Sequence, residues 1–434
     1  MVKIFQVLLI FITSLLLAAC GGGGGGGGSS GEAVGGGAIP QCSENASYVD
    51  GEYNFMGNAG TYTSTNLYGL GSVCASAAYG RGATGDGQLI AVLDSGISVG
   101  EGTTTDLNQI NSNIATFLTG SDVINSDNVP QDDDNNNNTA VGSGHGSHVA
   151  GLIANEHNNS SFGGHGIAYD ATLHIIKVLD EDGSGSFAQI AAGMDLARGV
   201  SSMDIVNLSL GSSGVIGSTC DSASSCETAL GSTIYTAMEA LGSASIIQVY
   251  AAGNDGNSSP NTLAGAAIYD DDFKETTVIA VAIDSTGNLA SYSDKCGVAK
   301  AICIAAPGSS LYSFFSSNAQ SSYAVDNYAQ AMSGTSQAAP LVSGGLALIK
   351  QEFSSLTNAQ VIDRLLATAL DTGEYSKSTI YGHGLMNLNG ATAAVAKLQT
   401  INGSNLLDDP NTSYYDLAHN SFLSSAAFSN ALNN

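Results

Sequence analysis

Gly334-Thr335-Ser336-Gln337-Ala338-Ala339-Pro340-Leu341-Val342-Ser343-Gly344-Gly345-Leu346-Ala347-Leu348-Ile349 reads as a turn feeding a buried helix. Gly344 and Gly345 leave room for another element to approach closely. Ser336 then stands at the helix N-terminus, where unpaired backbone N–H groups and the positive end of the dipole favour a developing negative charge. An acyl-transfer nucleophile belongs in such a place, although the same residues also suit an ordinary N-cap. The choice rests on whether an acid, a base and an oxyanion donor lie upstream.

Upstream, Leu89-Ile90-Ala91-Val92-Leu93 is an unbroken apolar run that predicts a buried parallel strand. Asp94-Ser95-Gly96-Ile97 stands at its carboxyl end, where open α/β sheets place functional groups. Further strands are expected at Leu173–Val178, Asp204–Leu208, Ile246–Ala251 and Val278–Ile283. Helices are expected over 186–199 and 227–242, after Ser336, and near 358–370 and 390–398. This alternation predicts an α/β fold of three layers, a mostly parallel central sheet flanked by helices.

Gly144-His145-Gly146-Ser147-His148-Val149-Ala150-Gly151 opens a short helix. Its two histidines share a face, but there is no H-E-x-x-H pattern and no third ligand nearby, so no metal is expected. Asp132-Asp133-Asp134 leads a low-complexity polar run through Asn138, read as a surface loop. Calcium there is conceivable but unsupported, since neither this run nor Asp180–Gly185 has EF-hand spacing. No cofactor is required by any of these readings.

The charge of −27, from 11 Lys+Arg against 38 Asp+Glu, argues against nucleic acid and against electrostatic docking on anionic lipid. The amino terminus reads as an address. Lys3 precedes an apolar run from Ile4 to Ala19, too short to span a membrane but suited to a signal peptide. Leu17-Ala18-Ala19-Cys20 resembles a bacterial lipobox, with Cys20 the lipidated residue after cleavage, and a glycine run follows. A cell-envelope lipoprotein, at the outer membrane or cell surface or else secreted, is the expectation, held to the membrane by that anchor. The remaining six cysteines suggest three disulfides. The close pairs Cys220–Cys226 and Cys296–Cys303 look like loop staples, leaving Cys42 with Cys74. The expected boundaries are a signal peptide at 1–19, a tether at 20–37, an N-terminal arm at 38–75, a catalytic domain at 76–399 and a polar tail at 400–434.

Hydrolysing an amide at neutral pH takes a nucleophile, a base, a group orienting the base and donors for the oxyanion. Asp94, His145 and Ser336 are the candidates for the first three, met along the chain in the order Asp, His, Ser, and Asn254 lies inside Ala251-Ala252-Gly253-Asn254-Asp255-Gly256. The blocks around Asp94, His145 and Ser336 each resemble a subtilase signature, in the order that distinguishes subtilisins from other serine hydrolases. The resemblance spans roughly residues 75 to 398. It implies a serine endopeptidase acting on protein or peptide substrates, with His145 the base, Asp94 its orienter, Ser336 the nucleophile and Asn254 an oxyanion donor. It further implies that Ser209-Leu210-Gly211 and Ala251-Ala252-Gly253 wall the P1 slot, and that Gly183-Ser184-Gly185 is the edge strand that hydrogen-bonds the substrate backbone. The family's usual methionine after the serine is Gln337 here. The lipobox and glycine run, the Cys296–Cys303 region and Tyr381–Leu388 resemble the passengers of autotransporter-type lipoprotein subtilases. A silent surface lipoprotein using the same fold to bind peptides is the alternative.

Overall fold

The computed structural model describes residues 68–97, 113–132, 144–157, 165–180, 182–314 and 329–393. Six apolar runs form strands: β1 (Leu89–Asp94), β2 (Thr172–Lys177), β3 (Ile205–Leu208), β4 (Ile247–Ala251), β5 (Thr277–Ile283) and β6 (Cys303–Pro307). All pair in parallel, in the order β2-β1-β3-β4-β5-β6. Their side chains are buried on both faces, which is why they read as continuous apolar runs rather than alternating ones. The pleat sends Ile90, Val92, Val249 and Ala280 to one face and Leu93, Val206, Tyr250 and Val281 to the other.

Helices α1 (His145–Ala154), α2 (Phe187–Arg198), α3 (Ala223–Leu230), α4 (Ser232–Ser243), α5 (Thr335–Glu352) and α6 (Asn358–Ala367) flank the sheet. Val149 of α1, Leu346 of α5 and Val361 of α6 cover the first face; Met194 of α2 and Met238 of α4 cover the second. Helix α5 is buried along most of its length. A Cβ on Gly344 would lie 2.0 Å from Ile167 Cγ2, and one on Gly345 2.8 Å from Met386 Sδ, so both glycines are sites of close approach.

The single helix expected over 227–242 is two, α3 and α4, because Gly231 at φ 90° and ψ 143° breaks it. Strand β6 and an antiparallel pair, β7 (Leu311–Phe314) with β8 (Ala329–Met332), add to the expected elements. Part of the expected arm belongs to the packed domain: Tyr68–Ser72 is helical, and the Tyr68 hydroxyl donates to the Ile283 carbonyl at 3.0 Å. The expected final helix is seen as Leu388–Thr392. Cys220–Cys226 and Cys296–Cys303 are disulfides, with Cα atoms 4.9 and 5.7 Å apart. Cys74 is also disulfide-bonded; Cys42, Cys20, the expected signal peptide and tether, and the tail lie outside the described residues. Among the described residues no helix is long and apolar enough to cross a membrane.

Candidate active site

Strand β1 sits where the topology switches, with β2 on one side and β3 on the other, and its carboxyl end opens a crevice. Asp94 closes that strand, fully buried. Its Oδ1 accepts the Ser95 amide at 2.8 Å and lies 2.7 Å from His145 Nδ1. His145 begins α1, and its neighbour Gly146 explains how the helix comes so close. A Cβ there would stand 2.1 Å from the Gly96 carbonyl oxygen, and the Gly146 amide donates to Ser95 Oγ at 3.0 Å. With Nδ1 committed to Asp94, Nε2 is the ring nitrogen left for substrate. Burial alone would depress the imidazole pKa, but the charge and hydrogen bond of Asp94, reinforced by the charge of Asp132, outweigh it and raise the value.

Asp132 corrects the expectation of a surface loop at that position. It is fully buried, strapped to the β1 loop by its amide on the Ile97 carbonyl at 2.9 Å, while the Ile97 amide reaches Pro130 at 2.8 Å. Buried Lys177 is a second charged residue beneath the site, its Nζ donating to the Ser95 carbonyl at 2.9 Å. Neither stood out in the sequence, because a charged residue announces its burial only through tertiary contacts.

Ser336 is the second residue of α5. Pro340 has no N–H to offer the Ser336 carbonyl four residues back, and Ser209 Oγ donates to it instead at 2.8 Å. Ser336 Oγ in turn donates to the Ser209 carbonyl at 3.1 Å and is not hydrogen-bonded to His145. Of the first amides of α5, that of Thr335 goes to Asn254 Oδ1 at 2.8 Å and that of Gln337 to Gly334, while that of Ser336 has no acceptor among the described residues. Thr335 Oγ1 also donates to Asn254 Oδ1 at 3.0 Å, and Asn254 Nδ2 has no acceptor among the described residues.

These groups line one cleft of about 570 Å³. It contains Asp94, His145, Ser336 and Asn254, the expected Gly183, Ser184 and Gly185, and Ser209, Leu210 and Gly211. Residues 183–185 form a turn rather than a strand, closed by the Asp180 amide on the Ser184 carbonyl at 2.8 Å. Ala251, Ala252 and Gly253 do not belong to the lining: Asn261 Nδ2 covers the Ala251 and Ala252 carbonyls at 3.0 and 2.9 Å. Asp270, Asp271 and Asp272 also lie outside it, and Asp270 accepts the Tyr235 hydroxyl at 2.8 Å. His148, also on α1, is buried, with Nε2 3.0 Å from the Leu311 carbonyl oxygen, and is not part of the cleft lining. Gln337 is buried in the cleft wall, with its Nε2 unpartnered among the described residues.

The profile of the Subtilase family matches residues 85–384, most of the chain and all of this constellation. The chain is a subtilase. It is 34% identical over 326 residues to subtilisin DY of Bacillus licheniformis, covering 75% of this chain and 97% of that one. Subtilisin Savinase of Lederbergia lenta is 35% identical over 325 residues, covering 75% and 98%. Subtilisin NAT of Bacillus subtilis subsp. natto is 34% identical over 331 residues, covering 76% and 72%. The six-stranded parallel sheet and this kinship make the subtilase a serine-type endopeptidase acting on peptide bonds.

Proposed function

We propose that this subtilase is an exported, lipid-anchored endopeptidase whose catalytic triad is Asp94, His145 and Ser336. The observation that carries the reading is the 2.7 Å pair of Asp94 and His145 facing the same cleft as a serine in the first turn of an 18-residue helix. A χ1 rotation moves Ser336 Oγ from the Ser209 carbonyl toward His145 Nε2. The imidazole takes the hydroxyl proton as Oγ bonds to the scissile carbonyl carbon, and Asp94 stabilises the imidazolium. Asn254 Nδ2 and the Ser336 amide donate to the tetrahedral oxyanion. The proton then passes to the leaving amine, and water, activated by the same base, hydrolyses the acyl-enzyme.

A fluorophosphonate should label Ser336, and Ser336→Ala should abolish both labelling and peptide cleavage while the protein still folds. The loss should be about 10⁶-fold in kcat, its scale in subtilisin itself. Turnover within tenfold of the wild type would sink the triad, and an unlabelled, inert wild type would favour the peptide-binding alternative. The lipid anchor rests on Leu17-Ala18-Ala19-Cys20. Mass spectrometry of the mature protein should find acylated Cys20; an unmodified Cys20 or a different mature terminus refutes it.

A further inference from the structure

Asn254 sits on a turn that carries no regular secondary structure, yet an oxyanion donor must be held within a fraction of an ångström. Thr335 fixes its Oδ1 from the front, as described above. Behind the turn lies a fully buried carboxylate, Asp294. Its Oδ1 accepts the Asn257 amide at 2.6 Å and the Asp255 amide at 3.2 Å, and its Oδ2 takes the Asn257 side-chain amide at 3.4 Å. Its own amide donates to the Gly253 carbonyl at 2.9 Å. The residues on either side complete the lacing: the Gly256 amide reaches Tyr292 at 2.7 Å and the Lys295 amide reaches Asn257 at 3.0 Å. Gly253 has φ 122°, and a Cβ on it would stand 2.2 Å from Asp294 Oδ2. Glycine is thus required at 253 both by its conformation and by the carboxylate pressed against it.

A buried carboxylate is costly unless donors surround it. Here the donors are the Asp255 and Asn257 amides just after Asn254, while the Gly253 carbonyl just before it accepts the Asp294 amide, so the energy that keeps Asp294 solvated by the protein also fixes the path of the turn. Ionised acceptors form shorter and stronger hydrogen bonds than neutral ones, and the 2.6 Å contact to Asn257 is of that kind. We propose that Asp294 is a positioning residue for the oxyanion donor, clamping residues 253–257 so that Asn254 Nδ2 meets the tetrahedral oxygen. This rests on the proposed role of Asn254. The clamp acts on the transition state, because the oxyanion exists only there, and so it should appear in kcat rather than in KM.

The test measures kcat and KM for one peptide substrate with Asp294→Ala and Asp294→Asn, each alone and combined with Asn254→Ala. A misplaced donor costs up to about 10²-fold, so Asp294→Ala should lower kcat by about 10- to 100-fold with KM held within about threefold. Asp294→Asn keeps one acceptor oxygen, weaker for being neutral, and should lose only about two- to fivefold. In the Asn254→Ala background both changes should be nearly silent, since there is no donor left to position. If Asp294→Ala does not fold, Asp294→Asn carries the test through the disappearance of its loss in that background. Losses that persist undiminished beside Asn254→Ala, losses borne by KM, or no loss in either variant overturn the clamp. If Asn254→Ala alone leaves kcat unchanged, the oxyanion assignment itself fails, an outcome separate from failure of the clamp.

Discussion

At the scale of single residues, the environment of His145 sets how rate and stability depend on pH. A general base must be neutral to accept the Ser336 proton, so kcat/KM should rise with pH through the folded-state pKa of His145. Burial pulls that value down, but Asp94 and Asp132 hold it up, so the acid limb should lie above the ordinary imidazole value of about 6.5. Stability runs the other way. A raised folded pKa means the charged imidazole stabilises the fold fully below its unfolded pKa, and that contribution is lost as pH rises through the folded one. As pH rises through the folded-state pKa of His145, the enzyme gains activity while it gives up part of the His145–Asp94 attraction. Asp132→Asn removes one of the two charges while leaving the 2.7 Å pair in place, so it should shift the acid limb to lower pH. A pH–rate profile whose limb does not move would show that Asp132 only fills space.

At the scale of elements, α5 shows which features of this fold a sequence carries on its face. Its apolar, small-residue run is legible because a helix buried all round needs nothing but apolar surface, and its glycines mark real contacts. Gly344→Ala tests this. Alanine gains up to about 1 kcal/mol in helix propensity, while forcing an extra carbon into a packed core costs about 1–3 kcal/mol. The clash at 2.0 Å is with a methyl group of fully buried Ile167, which has no flexible end to yield, so the loss should win and the thermal midpoint should fall. Gly71→Ala is the control, because nothing lies within 4 Å of a Cβ there, and it should be neutral or slightly stabilising. A midpoint for Gly344→Ala at or above that of the wild type would show that the core relaxes around it. Other elements were less legible for physical reasons. Gly231 breaks a helix that apolar spacing alone would continue. Strand β6 is Cys-Ile-Ala-Ala-Pro, too short and too alanine-rich for periodicity to separate it from a loop. Asp132 and Asp294 are buried charges whose sequence surroundings look like solvated turns, and Lys177 is a buried charge at the end of an apolar strand. The three chemical blocks were legible because each couples a reactive side chain to the glycines that let it be approached. The supporting charges carry no such pattern.

At the scale of the whole molecule, charge and cleft act on substrate in different ways, and the two can be separated. Ser209, Leu210 and Gly211 on the cleft wall are uncharged, and the three aspartates at 270–272 lie away from it, so the slot itself should favour a large apolar P1 residue over Arg or Lys. Among the described residues the cleft lining includes no Lys or Arg but does include Asp182, and the chain carries a net charge of −27. A field of that sign draws cationic chains toward the site and repels anionic ones, which alters encounter rather than the chemical step. Two peptides sharing an apolar P1, one flanked by lysines and one by glutamates, should therefore differ in kcat/KM in favour of the lysine peptide at low ionic strength. The gap should shrink as salt is raised from about 0.01 M to about 1 M, where the screening length falls from roughly 30 Å to roughly 3 Å. A third peptide with Arg at P1 and neutral flanks should remain poor at every salt concentration, because a slot without a carboxylate gives the guanidinium no partner when it is desolvated. A lysine preference that survives 1 M salt would place a specific carboxylate contact within the cleft. Efficient cleavage after Arg would mean that the wall formed by residues 209–211 does not define the P1 slot.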